Sequence, residues 1–160
     1  MNPYIRHYLK CGLLATPEVI ATLLSGIDSG NDIWDVRPDP DRFTLREVLA
    51  HLADWEVIWL SRMTRIIEEN VPDLPGIDEG EMAIDNDYGA QDPLDNQIRF
   101  KEGREKLVAF LERISDDDWR RVGIRSPDIG RLPIDEMAAM VLGHDGYHTL
   151  QIVDWLGSEP

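Results

Sequence analysis

The strongest constraint on the fold is a capped amphipathic stretch that begins at Thr44. Thr44 and Glu47 form a Thr-x-x-Glu pair in which each side chain satisfies the other's exposed backbone amide. Val48, Leu52, Trp55, Trp59, Met63 and Ile66 then follow at helical spacing. The pattern predicts a helix running to about Asn70 whose apolar stripe other elements must cover. No segment alternates with period two for long enough to suggest a sheet, so those elements are expected to be helices and the class all-α.

Three more helical stretches can be marked. The first covers roughly Pro3 to Ile27, where Thr16, Pro17 and Glu18 read as an N-cap, a first-turn proline and an acidic first turn. It is therefore either one bent helix or two pieces. Ser29 to Arg42 reads as a loop in which Trp34 packs onto the bundle. Val71 to Asp92 is the longest connection, and a loop of this length usually covers a site or crosses the bundle. The third helix is expected from about Pro93 to Ile114, burying Leu94, Ile98, Leu107, Phe110, Leu111 and Ile114, with Gly103 as a weak point. Ser115 to Trp119 reads as a capped short turn, and the stretch to Pro133 as irregular. The fourth helix starts near Pro133 and stops at Gly157, a residue suited to a left-handed cap.

With 160 residues and no composition shift, one domain with one core is expected over residues 1–160. The 16 Lys and Arg against 31 Asp and Glu give a formal charge of −15, which repels phosphate backbones and anionic membrane surfaces alike. No nucleic-acid or membrane partner is expected, since no apolar run approaches the roughly 20 residues that span a bilayer. The N-terminal stretch offers no uninterrupted signal-peptide core, so the cytoplasm is the expected compartment. A lone Cys11 cannot close an internal disulfide.

The chemistry concentrates on His144 and His148, four residues apart among apolar neighbours, so that both imidazoles share one helical face. His51 lies beside the apolar stripe of the second helix. If the second and fourth helices pack together, the three can supply nitrogen ligands to a divalent metal and leave coordination open. The ordinary alternative is that backbone carbonyls or carboxylates satisfy these rings without a metal.

Other residues have weaker signals. Asp54 lies near the His51 face and is a candidate proton shuttle or ligand-orienting group, whereas Glu56 and Asp145 read as paired or solvated charges. Arg62 and Arg104 read as bundle ion pairs, or as anion ligands through their forked donors. Gln151 is either an outer contact of His148 or a plain helix-edge residue, and Tyr147 and Trp55 line a pocket or the core. His7 has no evident partner. Cys11, with no base evident near it, is assigned to packing.

The run from Phe43 through His51 to Glu56, followed by Arg62, then Phe100 and Arg104, then His144, His148, Gln151 and Ile152, resembles the DinB superfamily of DinB/YfiT-like metalloenzymes. The resemblance spans most of the chain in order. It implies a four-helix bundle in up-down-down-up order with a long crossover between helices two and three, commonly dimeric. It also implies ligation of zinc, nickel or another divalent ion by His51, His144 and His148. Characterised relatives include S-transferases using low-molecular-weight thiols, so the expected function is a metal-dependent thiol S-transferase or hydrolase acting on a small molecule. The alternative is a non-catalytic bundle that a metal staples for dimerisation or partner binding.

Overall fold

In the computed structural model, which describes residues 1–126 and 129–158, Asn2 opens helix α1 (Pro3–Leu23) by accepting the Tyr4 amide on its side chain. The helix runs through Pro17 without the break the sequence allowed. Pro17 has no N–H for the Leu13 carbonyl, and Arg104 Nη1 donates to that oxygen instead at 2.9 Å. Thr16 therefore caps nothing new; its hydroxyl folds back onto the Gly12 carbonyl at 3.0 Å.

Trp34 packs as expected, from a short 3-10 turn (Asp32–Asp35), and its indole donates to the Asp28 carbonyl at 2.7 Å. Helix α2 (Leu45–Glu68) begins with the reciprocal Thr44–Glu47 cap. The long connection carries a helix of its own, α3 (Glu79–Asp85), capped by Asp78, and then a 3-10 turn at Tyr88–Ala90. Helix α4 (Pro93–Arg113) follows from its Asp92 cap.

The buried stripe of α4 differs from the expected one. Ile98 is 57% exposed, and the inward line runs through Asn96, Phe100, Arg104, Leu107, Val108 and Leu111. Two polar residues in that line hid it from an apolar periodicity.

The expected all-helical chain also contains a small antiparallel hairpin, β1 (Val122–Arg125) with β2 (Gly130–Pro133), in a stretch read as irregular. Four-residue strands are too short to display a period-two pattern. Backbone pairing with the long connection holds the hairpin in place: Leu74 N–H donates to the Ile124 carbonyl at 2.7 Å and Ile124 N–H to the Pro72 carbonyl at 2.8 Å. Gly123 permits the approach, since a Cβ there would lie 2.5 Å from Leu74 Cδ1. Helix α5 (Ile134–Gly157) completes the chain. It ends in extended backbone at Ser158, whose hydroxyl donates to the Asp154 carbonyl at 2.8 Å, so Gly157 forms no left-handed cap.

The long helices pack with α2 against α4 and α5, and α1 against α4 and α5. Two apolar clusters fill the interior. One contains Leu13, Trp55, Trp59, Met63, Leu107 and Val141, the other Ile20, Leu49, Phe100, Ile152 and Trp155. Near their junction each long helix carries a buried polar residue: Thr16, Glu56, Arg104 and Asp145.

Gly103 lets α4 come close enough to α2 for Arg104 to reach Glu56, because a Cβ at Gly103 would sit 2.5 Å from Glu56 Cβ. Alanine favours an isolated helix over glycine by about 1 kcal/mol. Gly103→Ala should nevertheless destabilise the protein by about 1–3 kcal/mol, the usual cost of overpacking. Urea denaturation checks this, and an unchanged or raised midpoint would contradict the close-approach account.

Candidate metal centre

His51 enters the interior from α2, two turns past its capped start, while α5 presents His144 and His148 on successive turns. The three ring centroids lie 4.6 to 5.0 Å apart, and one donor atom from each residue falls within 4.8 Å of the others. His51 Nε2 and His144 Nε2 are 2.9 Å apart. Among the described residues no carbonyl or carboxylate bonds either ring, and both Nδ1 atoms are buried without partners. These two rings meet each other rather than the partners that the metal-free alternative required.

His148 is held differently. Its Nδ1 lies 3.1 Å from Gln151 Oε1, an acceptor, so the proton belongs on Nδ1 and the Nε2 lone pair is free. Gln151 is itself fixed by donating to the Phe43 carbonyl at 2.8 Å, which Trp155 also bonds at 3.0 Å. Gln151 is therefore a buried orienting residue, the first of the two readings its sequence position allowed.

Burial is the main cause that depresses all three imidazoles. It lowers His51 to about 2, with His148 and His144 adding to the effect, and His144 to about 3, with His148 and Arg104 adding. His148 is lowered to about 4, its bond to Gln151 opposing and Arg42 adding. All three are neutral near pH 7 with lone pairs available, as metal ligation requires. Two imidazole nitrogens on one tetrahedral zinc lie about 3.3 Å apart, a few tenths beyond the His51–His144 separation. The donor set and its geometry fit a divalent ion.

A pocket of about 170 Å³ opens onto this cluster, lined by Asp41, Arg42, Phe43, Glu79, His144, Tyr147, His148 and Gln151. A larger groove of about 600 Å³ crosses the outer faces of α2 and α4 over Val57, Leu60 and Gly103 and touches none of the histidines. Asp54 lies outside the pocket lining. One carboxylate oxygen accepts from Arg99 at 2.6 Å, and the other from Asn86 at 2.8 Å and Tyr88 at 3.0 Å, so Asp54 ties the long connection to α2 and α4. Two acidic residues of this lining, Asp41 and Glu79, are ones that sequence reasoning missed, and Glu79 lies on the long connection. Its only signal was the length of the connection, which pointed to a cover over a site but to no particular residue.

Glu56 and Asp145 are paired with Arg104, and the pairing is buried. Burial raises both carboxyls from their ordinary values, with Arg104 opposing. Arg62 departs from its expected ion pair: among the described residues it meets no carboxylate, only the Pro75 carbonyl and the faces of Trp55 and Trp59. Cys11 is exposed rather than packed, and His7, one turn before it, brings Nε2 within 3.7 Å of its sulfur. The i, i+4 spacing of His7 and Cys11 was the overlooked signal.

A family model described as the DinB superfamily matches residues 13–152. The chain belongs to the DinB superfamily. Among solved structures, this DinB member is similar to YfiT from Bacillus subtilis, with a TM-score of 0.87 and 17% identity over 97% of this chain and 87% of that one. YfiT is described as a probable metal-dependent hydrolase with an unusual four-helix bundle topology. At this identity the likeness concerns the fold. No curated protein matches the chain.

The depressed histidines give the metal-free DinB protein a signed pH dependence. Below an unfolded-state value near 6.5 the unfolded chain binds more protons than the folded one, so stability is complete above about pH 6.5 and falls as pH drops. Each ring contributes up to about 1.4 kcal/mol per pH unit in that window. The urea midpoint of metal-free protein should fall between pH 7.5 and 5, and less steeply in His148→Gln. A midpoint that stays level would contradict neutral buried rings.

Proposed function

We propose that this DinB superfamily protein is a metal-dependent enzyme acting on a small molecule, with His51, His144 and His148 as the ligands. The observation that carries the reading is the convergence of three neutral imidazoles, two buried and that of His144 half-buried, beside an open pocket. Three borderline nitrogen donors suit zinc or nickel. An ion bound there supplies a Lewis-acidic centre with an open position, which favours loss of a proton from water or from a low-molecular-weight thiol.

The chain's own residues do the rest. Gln151 fixes the His148 tautomer, and Arg42, over the Tyr147 ring at 5.1 Å and the Trp155 ring at 4.8 Å, steadies the pocket rim. Glu79 and Asp41 line the pocket, neither carboxylate with a hydrogen-bond or ion-pair partner among the described residues, and we assign the proton-accepting role to Glu79, whose carboxyl burial raises from its ordinary value. Asp54, the sequence candidate for that role, has both oxygens engaged, which suits a residue that positions the connection carrying Glu79. Hydrolysis is the first reaction to test, in keeping with the description of YfiT, and conjugation to a small thiol the second.

The order of the two apolar clusters along α1 and α5 is the reverse of that along α2 and α4, which supports an up-down-down-up arrangement with a crossover between α2 and α4. A homodimer would cover exposed Ile5 and Val19 on α1 and Leu150 and Val153 on α5. A free Cys11 is compatible with the cytoplasm, and no helix among the described residues is long and apolar enough to cross a membrane.

Metal analysis after loading with zinc or nickel tests the centre. Wild type should hold one ion per chain, and His51→Ala, His144→Ala and His148→Ala should each lose it; unchanged content in all three would overturn the assignment. Glu79→Gln should keep the ion and lose about 100-fold or more in turnover of p-nitrophenyl acetate or in bimane transfer to bacillithiol. A fully loaded protein inert toward both, whose melting temperature rises with metal, would favour the stapled bundle instead.

A further inference from the structure

Arg42 lines the pocket that opens onto His144 and His148. It stands in the turn before the α2 cap, where its backbone N–H donates to the Asp39 carbonyl at 3.2 Å. Arg37 and Arg46, on either side of it in sequence, each pair with a carboxylate, that of Glu47 and that of Asp35. Arg42 pairs with none among the described residues, in a protein whose 31 acidic residues outnumber its 16 lysines and arginines. Its Nε is buried without a partner. Two aromatic rings hold the group instead: the guanidinium carbon lies 5.1 Å from the Tyr147 ring centre and 4.8 Å from that of Trp155. Stacking of this kind occupies the face of a guanidinium and leaves the Nη groups at its edge for an acceptor in its plane.

The pocket has room for a ligand beside this group. A cavity of about 150 Å³ holds benzene, and this one has about 170 Å³. Phe43 and Tyr147 give it aromatic walls. The same cavity touches Arg42 and both histidines of α5, so one small molecule spans the guanidinium and the metal centre. Asp41 and Glu79 on the lining oppose a doubly charged anion, which favours a single carboxylate over a phosphate.

Resting on the enzyme reading above, we propose that Arg42 is the recognition residue for a carboxylate of the substrate, whose body fills the cavity along Phe43 and Tyr147 while its reacting group faces His144 and His148. The two Nη groups offer a carboxylate two parallel hydrogen bonds, and the ring walls favour a flat apolar body. The substrate class is a compact monocarboxylic acid that carries a second, electrophilic group such as an ester or amide.

Metal-free protein gives the cleaner test, because a carboxylate would also ligate a bound ion. Benzoate, benzamide, benzylamine and inorganic phosphate are titrated into it, with affinity read from tryptophan fluorescence. The Arg42 Nε–H resonance, assigned by its loss in Arg42→Gln, is followed by NMR. Wild type should bind benzoate saturably and about 10-fold more tightly than benzamide, with a shift of that resonance. Arg42→Gln should lose the preference, and Arg42→Lys should keep part of it. Tightest binding of benzylamine would assign recognition to Asp41 and Glu79 and overturn the proposal. Equal affinity for acid and amide, phosphate binding as tightly as benzoate, or an unchanged preference in Arg42→Gln would do the same. If Arg42→Gln fails to fold by circular dichroism, the acid-to-amide ratio in wild type and in Arg42→Lys still decides. His51→Ala, which lies outside the cavity lining, separates the two readings: it should lose the metal and keep the acid preference. Acid preference in a wild-type protein that takes up no metal would sink the metal centre and leave the Arg42 site standing, and metal uptake without acid preference would do the reverse.

Discussion

Arg104 places an acceptor on every N–H it has, and the acceptors come from the three other long helices. Glu56 on α2 takes two bonds, Asp145 on α5 two more, and the Leu13 carbonyl on α1 the fifth. The Leu13 carbonyl is available because Pro17 cannot bond it, so a proline that would ordinarily break a helix supplies a ligand for the central guanidinium. Removing these charges from water costs several kcal/mol per ion, and a hydrophobic replacement of the whole group can be equally stable. What the network adds is register. Loss of one member leaves the others buried and unpaired, so a slip of any helix is penalised by about 3–5 kcal/mol.

That register sets the metal centre. Glu56 follows His51 by five residues and Asp145 follows His144 by one, so the bonds that fix Glu56 and Asp145 on one guanidinium also fix the height at which the two histidine-bearing segments face each other. The polar layer meets both apolar clusters, and the histidine rings lie between the tryptophan pair and Phe43. Burial in that setting keeps the rings uncharged, which a metal ion needs and a proton opposes.

The sequence was most informative where local chemistry decides the outcome. The Thr44–Glu47 cap, the apolar stripe of α2 and the spacing of His144 and His148 all carry their meaning within a few residues, and α2 forms as they indicate. It was least informative where a partner far along the chain decides. The continuity of α1 through Pro17 depends on an arginine 87 residues away, the inward line of α4 on that same arginine, and the hairpin on backbone pairing with Pro72 and Leu74. The pocket carboxylate Glu79 sits on a seven-residue helix that no periodicity reveals. The His7–Cys11 pair, by contrast, was legible and overlooked.

The central claim, that His51, His144 and His148 hold one ion with a position left open, is tested most directly by X-ray absorption on the zinc-loaded protein. Three imidazole nitrogens at about 2.0–2.1 Å with one further non-protein ligand are expected. A shell made of carboxylate oxygens, or one that keeps all its imidazoles in His144→Ala, would contradict it.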